Sequence, residues 1–542
     1  MEKKTSSFVS GAAILAAAGL LCRLIGAVFR IPLSNLVDTE GMRYYELVYR
    51  YYSALLVISS SGLPTAISKL VSERVTLGDY RGARAVFNTA FRLLLLIGIG
   101  TTLIMFLGAD LLAGISYPAD AVEEIARQAM SFRALAPALL FVSLMCAYRG
   151  YLQGMQRMTG TAISQIIEQI GKLAFGYFLA RLLLPKGAAY AAMGALIGVS
   201  ISEFFALAAI FLFYRRNHGA LARLHSHAPK LQKGWDFKSI SQKLLAIAIP
   251  VTLGASIMPI TGLIDGAMII RTLEGIGYTV QDAGNAYAIL YSNVTPIINM
   301  PAVLTTALAM SLVPTISAFM TKKDYARVKN ASRTGLKLAL IVGTPCAVGL
   351  FVLAEPVLNM LYTHLTEEKL ALAVGLMKTA CVGVLFLSIV QTLTGVLQGL
   401  GKPNIPVINL LFGGILKVLT LIVLMRRPDI NIQGAAVSTV VCYAAAAIMD
   451  VGYLVRMTHV QLNILDVFCK PIGSSIAMGV TVHYIYQALS GGTVSATLAT
   501  LASVIAGVAV YGVLVIVLRM FSSSDLAFIP GGRRLARFAG KG

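Results

Sequence analysis

Residues 21–32 read Leu-Cys-Arg-Leu-Ile-Gly-Ala-Val-Phe-Arg-Ile-Pro, and they set two arginines, Arg23 and Arg30, inside a long hydrophobic run. Arg23, Gly26 and Arg30 are spaced i, i+3, i+7, which puts all three on one face of a helix. A guanidinium at bilayer depth costs roughly 2.5–3.5 kcal/mol on insertion scales, so it faces protein or a water-filled cavity rather than lipid. The next run repeats the pattern with Glu46 and Arg50. Charges placed at that cost call for a purpose, and recognition of an anion is the expectation.

The surrounding chain decides the environment. Of its 542 residues 57% are hydrophobic and 13% charged, and the mean hydropathy is +0.77; soluble domains do not reach such values. The net charge of +21 would suit nucleic acid in a soluble protein. Here the basic residues sit in short connections between apolar runs, where topology and anionic lipid headgroups account for them, and no nucleic-acid partner is expected. The six cysteines are scattered, without a C-x-x-C, and His225 and His227 stand in a basic loop. No metal or cofactor signature emerges. Lys3-Lys4 and the apolar run up to Ala16-Ala17-Ala18-Gly19 have a leader-like look, but the run continues beyond it and no cleavage is expected.

With about 20 apolar residues per crossing, the expectation is an all-α polytopic membrane protein with 14 transmembrane helices. Their approximate limits are 8–36, 44–70, 85–112, 127–154, 160–183, 188–214, 241–272, 285–319, 334–355, 368–398, 404–425, 433–456, 467–488 and 494–519. Pro250, Pro259, Pro296, Pro301 and Pro314 predict kinks in the seventh and eighth. One alternating set of connections is basic: Lys3 and Lys4, Lys69 to Arg84, Arg149 and Arg157, Arg215 to Lys243, Lys322 to Lys337, Lys402, Arg456 and Arg533 to Arg537. The other is acidic or neutral, with Arg181, Lys186, Arg426 and Arg427 dissenting. The positive-inside rule puts both termini in the cytoplasm of a multi-pass plasma-membrane protein.

An internal repeat divides the chain. Gly150-Tyr-Leu-Gln-Gly154 recurs as Gly395-Val-Leu-Gln-Gly399, 245 residues on, and at that offset Asp79-Tyr80, Gly98 and Lys172 match Asp324-Tyr325, Gly343 and Lys417. Pro64-Thr65 finds Pro314-Thr315 with a small gap. The expected parts are an N-lobe at 1–228 (six spans), a C-lobe at 229–456 (six more), and two further spans with a basic tail at 457–542. Both lobes begin on the same side, so they are parallel repeats, an arrangement typical of transporters that rock about a site between halves.

At about 1.5 Å per helical residue, Arg30 and Arg50 fall in the outer half of the membrane, with Arg23 deeper, and Asp265, Arg271 and Asn299 on the seventh and eighth spans add to a cationic vestibule. The expected substrate-binding residues are Arg23, Gly26, Arg30, Arg50, Arg271 and Asn299. A bidentate guanidinium suits phosphate better than an ammonium does. The plainer alternative is that Arg30 and Arg271 snorkel outward and that Glu46 pairs with Arg50 at i+4. Glu46, Glu168, Lys172, Glu203, Asp265 and Lys417 form a second set with two readings: ion pairs that fasten helices, or pairs that gate transport or couple it to an ion. Gly62-Leu-Pro-Thr-Ala-Ile-Ser-Lys69 ends the second span with small residues that admit a close neighbour.

With Arg23, Gly26 and Arg30, the Gly62–Lys69 motif, the Arg149-Gly-Tyr-Leu-Gln-Gly-Met-Gln segment and Ser164-Gln165-x-x-Glu168-Gln169, the chain resembles the MurJ/SpoVB (MviN-like) branch of the MOP flippase superfamily over essentially its whole length. The resemblance implies fourteen helices as six, six and two, and alternating-access transport of an undecaprenyl-pyrophosphate-linked saccharide, lipid II foremost, for cell-wall (peptidoglycan) biosynthesis. The branch's first-helix arginines carry over to Arg23 and, one residue shifted, to Arg30. Its second-helix arginine has no exact match, Arg50 standing about two turns away, and its eighth-helix arginine is absent, with Arg271 the candidate substitute. Sodium sites of such proteins involve the seventh, eleventh and twelfth helices; Asp265 fits loosely and Lys417 would replace a cation, so sodium is not expected.

The function expected is thus a non-enzymatic flippase, working as a monomer without cofactor, with the membrane potential or an ion as candidate drive. Its partners would be the lipid-linked substrate and anionic lipids. Three alternatives stand beside it: a flippase for another lipid-linked glycan, of sporulation or the cell surface; a cation or drug antiporter, whose cavity should be acidic; and a membrane glycosyltransferase, for which no outer loop is long enough.

Overall fold

A computed structural model describes residues 2–216, 236–491 and 495–521, with the side chains of 2–16, 23 and 27 excepted. Arg23, most of the 218–238 connection and the basic tail at 533–537 therefore lie outside the residues described in full. Among the described residues the structure is helical, with no strand. The chain divides into two compact units, Met1–Ala288 and Ile289–Gly542, whereas the 1–228 and 229–456 division follows the repeat and remains a proposal about ancestry.

The first unit comprises α1 (Glu2–Ser60), α2 (Gly62–Thr76), α3 (Tyr80–Leu107), α4 (Ala109–Ser116), α5 (Val122–Gly154), α6 (Met158–Gly171), α7 (Tyr177–Leu183), α8 (Ala188–Arg216), α9 (Phe237–Gly275) and α10 (Val280–Ala288). The second comprises α11 (Thr295–Thr321), α12 (Tyr325–Val352), α13 (Ala354–Leu361), α14 (Glu367–Gly399), α15 (Asn404–Met425), α16 (Gln433–Thr458), α17 (Lys470–Ser490) and α18 (Ala496–Val517). Among the described residues twelve helical stretches are long and apolar enough to cross a membrane. The expected fourteen instead counts Ala17–Thr76 as two passes and adds α6 and α7, which run end to end through a π turn at Lys172–Gly176. Large apolar side chains such as Leu498, Ile505, Val508 and Ile516 of α18 are more than half exposed, which water would not tolerate over such an area and acyl chains would. Helices satisfy their backbone groups internally, the condition for spanning lipid.

The sixty residues of Ala17–Thr76 are not straight. Asp38 has φ 58° and ψ 178°, a backbone region that residues other than glycine rarely occupy, and its carboxylate accepts from the Thr39 amide. Arg30 and Glu46 lie eight residues to either side. A straight helix would hold them ~24 Å apart, yet Arg30 Nη1 and Glu46 Oε1 are 3.0 Å apart. The chain therefore folds back at Asp38, and the ion pair joins the two arms.

Inside each unit the same packing devices recur 245 residues apart. A Cβ on Gly150 would meet the Pro64 carbonyl oxygen at 2.9 Å, and one on Gly395 would meet that of Ala309 at 2.7 Å. Gly154 lies against Ser68 and Val71 as Gly399 lies against Val313 and Ile316. Gly98 abuts Ser143 as Gly343 abuts Ser388. Asp79 caps α3 by accepting from the Gly82 amide at 2.7 Å, and Asp324 caps α12 by accepting from Arg327 at 3.1 Å. Each of these pairs is offset by 245, so the repeat read from five-residue motifs is a repeat of contacts. The glycines bring α5 against α2, and α14 against α11, closer than any side chain permits. At Gly62 an added Cβ would lie 2.1 Å from the Ala248 carbonyl oxygen, so α2 begins in direct backbone contact with α9.

Candidate functional site

The first unit contains a cavity of about 350 Å³ whose polar lining includes Tyr49, Arg149, Gln165, Glu168, Lys172 and Glu203. Its charged groups form one chain. Arg149 donates to Ser164 Oγ and to Glu168 Oε2, each at 3.0 Å. Lys172 Nζ lies 2.8 Å from Glu168 Oε1 and 2.8 Å from Glu203 Oε1. Two cations and two carboxylates balance. The other oxygen of Glu203, Oε2, and Gln165 Oε1 are buried and have no hydrogen-bond partner among the described residues.

Local sequence explains this convergence. Arg149 sits on the last turns of α5, beside the Gly150 that seats α5 on α2. Lys172 opens the π turn, a geometry that inserts an extra residue per turn and often marks functional positions. A Cβ on Gly171 would lie 2.8 Å from Ser202 Cβ, and this closeness of α6 to α8 lets the neighbours Lys172 and Glu203 meet. The first arm of α1 also approaches this wall, where a Cβ on Gly26 would lie 3.2 Å from Gln169 Oε1. Tyr49 joins the cavity to the Arg30–Glu46 pair, because the Arg30 guanidinium stands 5.6 Å from its ring centre.

Toward the Asp38 end, Arg50 packs against α9, its Cδ and Nη1 3.3 Å from the Cβ position of Gly262. Asp265 is buried on the same helix, and Tyr287 of α10 lies in the field of Arg50, Glu46 and Asp265. Glu46 forms its ion pair with Arg30 across the hairpin, at 3.0 Å. Arg271 donates to the carbonyls of Gly114 and Tyr117, the latter at 2.9 Å, and so closes the C-terminal end of α4. Its role there is to hold backbone, and a substrate would have to compete for it.

In the second unit Lys417 is buried on α15, but its surroundings differ from those of Lys172. Positions 413 and 448, which correspond to Glu168 and Glu203, are Gly and Ile. Asp450 of α16 is fully buried and accepts from Asn409 Nδ2 at 2.7 Å. Asn299 is exposed on α11. Of the expected set, the first unit thus brings Glu168, Lys172 and Glu203 into one network and Arg30 with Glu46 into a neighbouring one.

Three charged residues take part in contacts that the sequence alone does not disclose. Arg149 reads as part of a basic connection and of the Arg149–Gln156 motif, yet it is the first member of the network. Arg43 is 1% exposed and donates to Tyr44 Oη at 2.9 Å and to Glu124 Oε1 at 3.1 Å; its spacing of three from Glu40 and Glu46 on either side was the available signal. Lys337, counted among loop cations, is buried and bound to Asp466 at 2.7 Å.

Comparison with known proteins bears on all of this. Residues 8–320, more than half of the chain, match the family described as polysaccharide biosynthesis protein, and residues 290–423 match the family described as MatE. The stage V sporulation protein B of Bacillus subtilis is 25% identical over 98% of both chains. The lipid II flippase MurJ of the same organism is 25% identical over 99% of both. A solved structure of lipid II flippase MurJ in an inward closed conformation covers 93% of this chain and 98% of its own, with TM-score 0.69 and 15% identity, a likeness of fold. The chain belongs to the polysaccharide biosynthesis protein family, and its likeness to MurJ/SpoVB-type members of the MOP superfamily extends over its full length.

Proposed function

We propose that the protein is a flippase that carries a lipid-linked, pyrophosphate-bearing cell-wall precursor, lipid II foremost, from the inner to the outer leaflet of a bacterial plasma membrane by alternating access. The observation that supports it most directly is the membrane-embedded cation set on α1. Arg30 is held inside the span by Glu46, and Arg50 stands on the same arm as Glu46. A diphosphate offers more acceptors than one carboxylate, so it would draw Arg30 and Arg50 together, with Arg23 of the same helix as a further candidate. The lipid tail stays in the bilayer throughout, and both termini face the cytoplasm. Glu168, Lys172, Glu203, Asp265 and Lys417 then gate or couple the motion, the protein acts as a monomer, and no bond in the substrate is made or broken.

The test is flipping of a fluorescent lipid-linked pyrophosphate saccharide in proteoliposomes. Arg23→Ala and Arg30→Ala should each abolish transport at wild-type protein level, and Arg30→Lys should not restore it, since an ammonium lacks the fork. Normal flipping by Arg30→Ala would defeat the assignment. The full-length similarity to stage V sporulation protein B favours a second reading, a glycan precursor used in sporulation. The precursor that accumulates on depletion distinguishes the two.

A further inference from the structure

On α12, Lys329 and Arg333 stand one turn apart and line a second cavity of about 350 Å³, together with Asn330 and, across from them, Gln461 and Asn463 of the segment between α16 and α17. One turn farther along α12, the buried Lys337 binds Asp466 Oδ2 at 2.7 Å, while Lys470 binds Oδ1 of the same carboxylate at 3.0 Å. The nearby acid is thus already shared by two cations. Among the described residues neither Lys329 nor Arg333 has a carboxylate partner, so the cavity wall carries uncompensated positive charge.

Beside this polar cavity the surface turns apolar at once. Ile464 is 68% and Leu465 64% exposed, and Ile472 and Ile476 of α17 continue the exposed face at the start of the membrane-spanning stretch Leu465–Ser490. A soluble anion would use the cations and leave the apolar stripe bare. A ligand with a phosphate at one end and acyl chains at the other matches both, and basic residues at a membrane interface attract anionic lipid.

We propose that this cavity is a headgroup site for an anionic phospholipid, its phosphodiester held by Lys329 and Arg333 and its acyl chains lying along Ile464, Leu465, Ile472 and Ile476. The site belongs to the second unit, whereas the arginines of α1 belong to the first, and it does not depend on what the protein transports.

Lipid retention by the full chain in detergent, read by native mass spectrometry after addition of phosphatidylglycerol, phosphatidylcholine or inorganic phosphate, tests it. The wild type should retain phosphatidylglycerol over phosphatidylcholine. Lys329→Gln with Arg333→Gln should weaken that retention about thirtyfold, taking the usual worth of two interfacial basic residues. Lys322→Gln with Lys323→Gln removes the same charge from the exposed turn before α12 and should leave retention unchanged. Equal effects of the two double variants, or no effect of the first, would overturn the site. Displacement of phosphatidylglycerol by an equal concentration of inorganic phosphate would make it an ion site and overturn the lipid. A photoactivatable phosphatidylglycerol supplies a measurement on the unaltered chain: it should label peptides containing 329–333 and 460–465, and labelling confined to other helices would refute the proposal.

Discussion

Replacing Lys172 by methionine should be among the most damaging single changes in the first unit, and a second change should repair most of the harm. Lys172 answers two carboxylates at once, each at 2.8 Å. Without it Glu168 keeps Arg149 at 3.0 Å and the Gln169 amide at 3.2 Å. Glu203 keeps nothing comparable: it is 1% exposed, and its Oε2 already lacks a partner. Stranding a buried charge costs about 3–5 kcal/mol, and nearly all of that belongs to Glu203. Glu203→Gln alone removes one of two partners from Lys172 and should cost about 1 kcal/mol. In the double variant the stranded charge is gone, so the double should be more stable than Lys172→Met alone, with a coupling energy of at least about 2 kcal/mol. Unfolding by SDS titration in mixed micelles, run on wild type, both singles and the double, gives the cycle. Additive effects, with the double at least as unstable as Lys172→Met, would show that the Lys172–Glu203 bond is not what holds α6 to α8, and the reasoning would fail.

Further changes probe the fold. Gly150→Ala and Gly395→Ala should each destabilise by about 1–3 kcal/mol in the same titration, since both new methyl groups meet backbone. Gly100→Ala, where a Cβ meets nothing within 4 Å, should be neutral or stabilising by up to about 1 kcal/mol. In a background without native cysteines, Arg30→Cys with Glu46→Cys should be bridged by a short bifunctional maleimide, which spans the gap that the two long side chains leave between their Cβ atoms, seen as altered mobility after cleavage between the two positions; failure to cross-link would mean that the arms do not fold back at Asp38.

The helical membrane architecture was legible because its signal is composition over windows of twenty residues, which no local packing can disguise. The repeat was legible because Gly150, Gly154, Gly395 and Gly399 are irreplaceable at a backbone-to-backbone contact, so the spacing survives where other residues drift. Pairing was harder. Sequence shows Glu46 four residues before Arg50, and it cannot show that a turn at Asp38 offers the same carboxylate to Arg30. Arg149 and Lys337 looked like loop cations because each lies near a basic connection; the glycine-seated helix end and the segment before α17 are what draw them inside. The place of Arg43 is not legible in sequence, since its acid partner Glu124 is eighty-one residues away.

The offset of 245 carries one consequence for how such a chain changes over generations. The glycine contacts recur at that offset, while the positions that correspond to Glu168 and Glu203 hold Gly413 and Ile448. Mechanical fittings and electrical wiring therefore vary separately: the close helix contacts call for the same small residues at both positions of the repeat, whereas the charges set among them are free to differ.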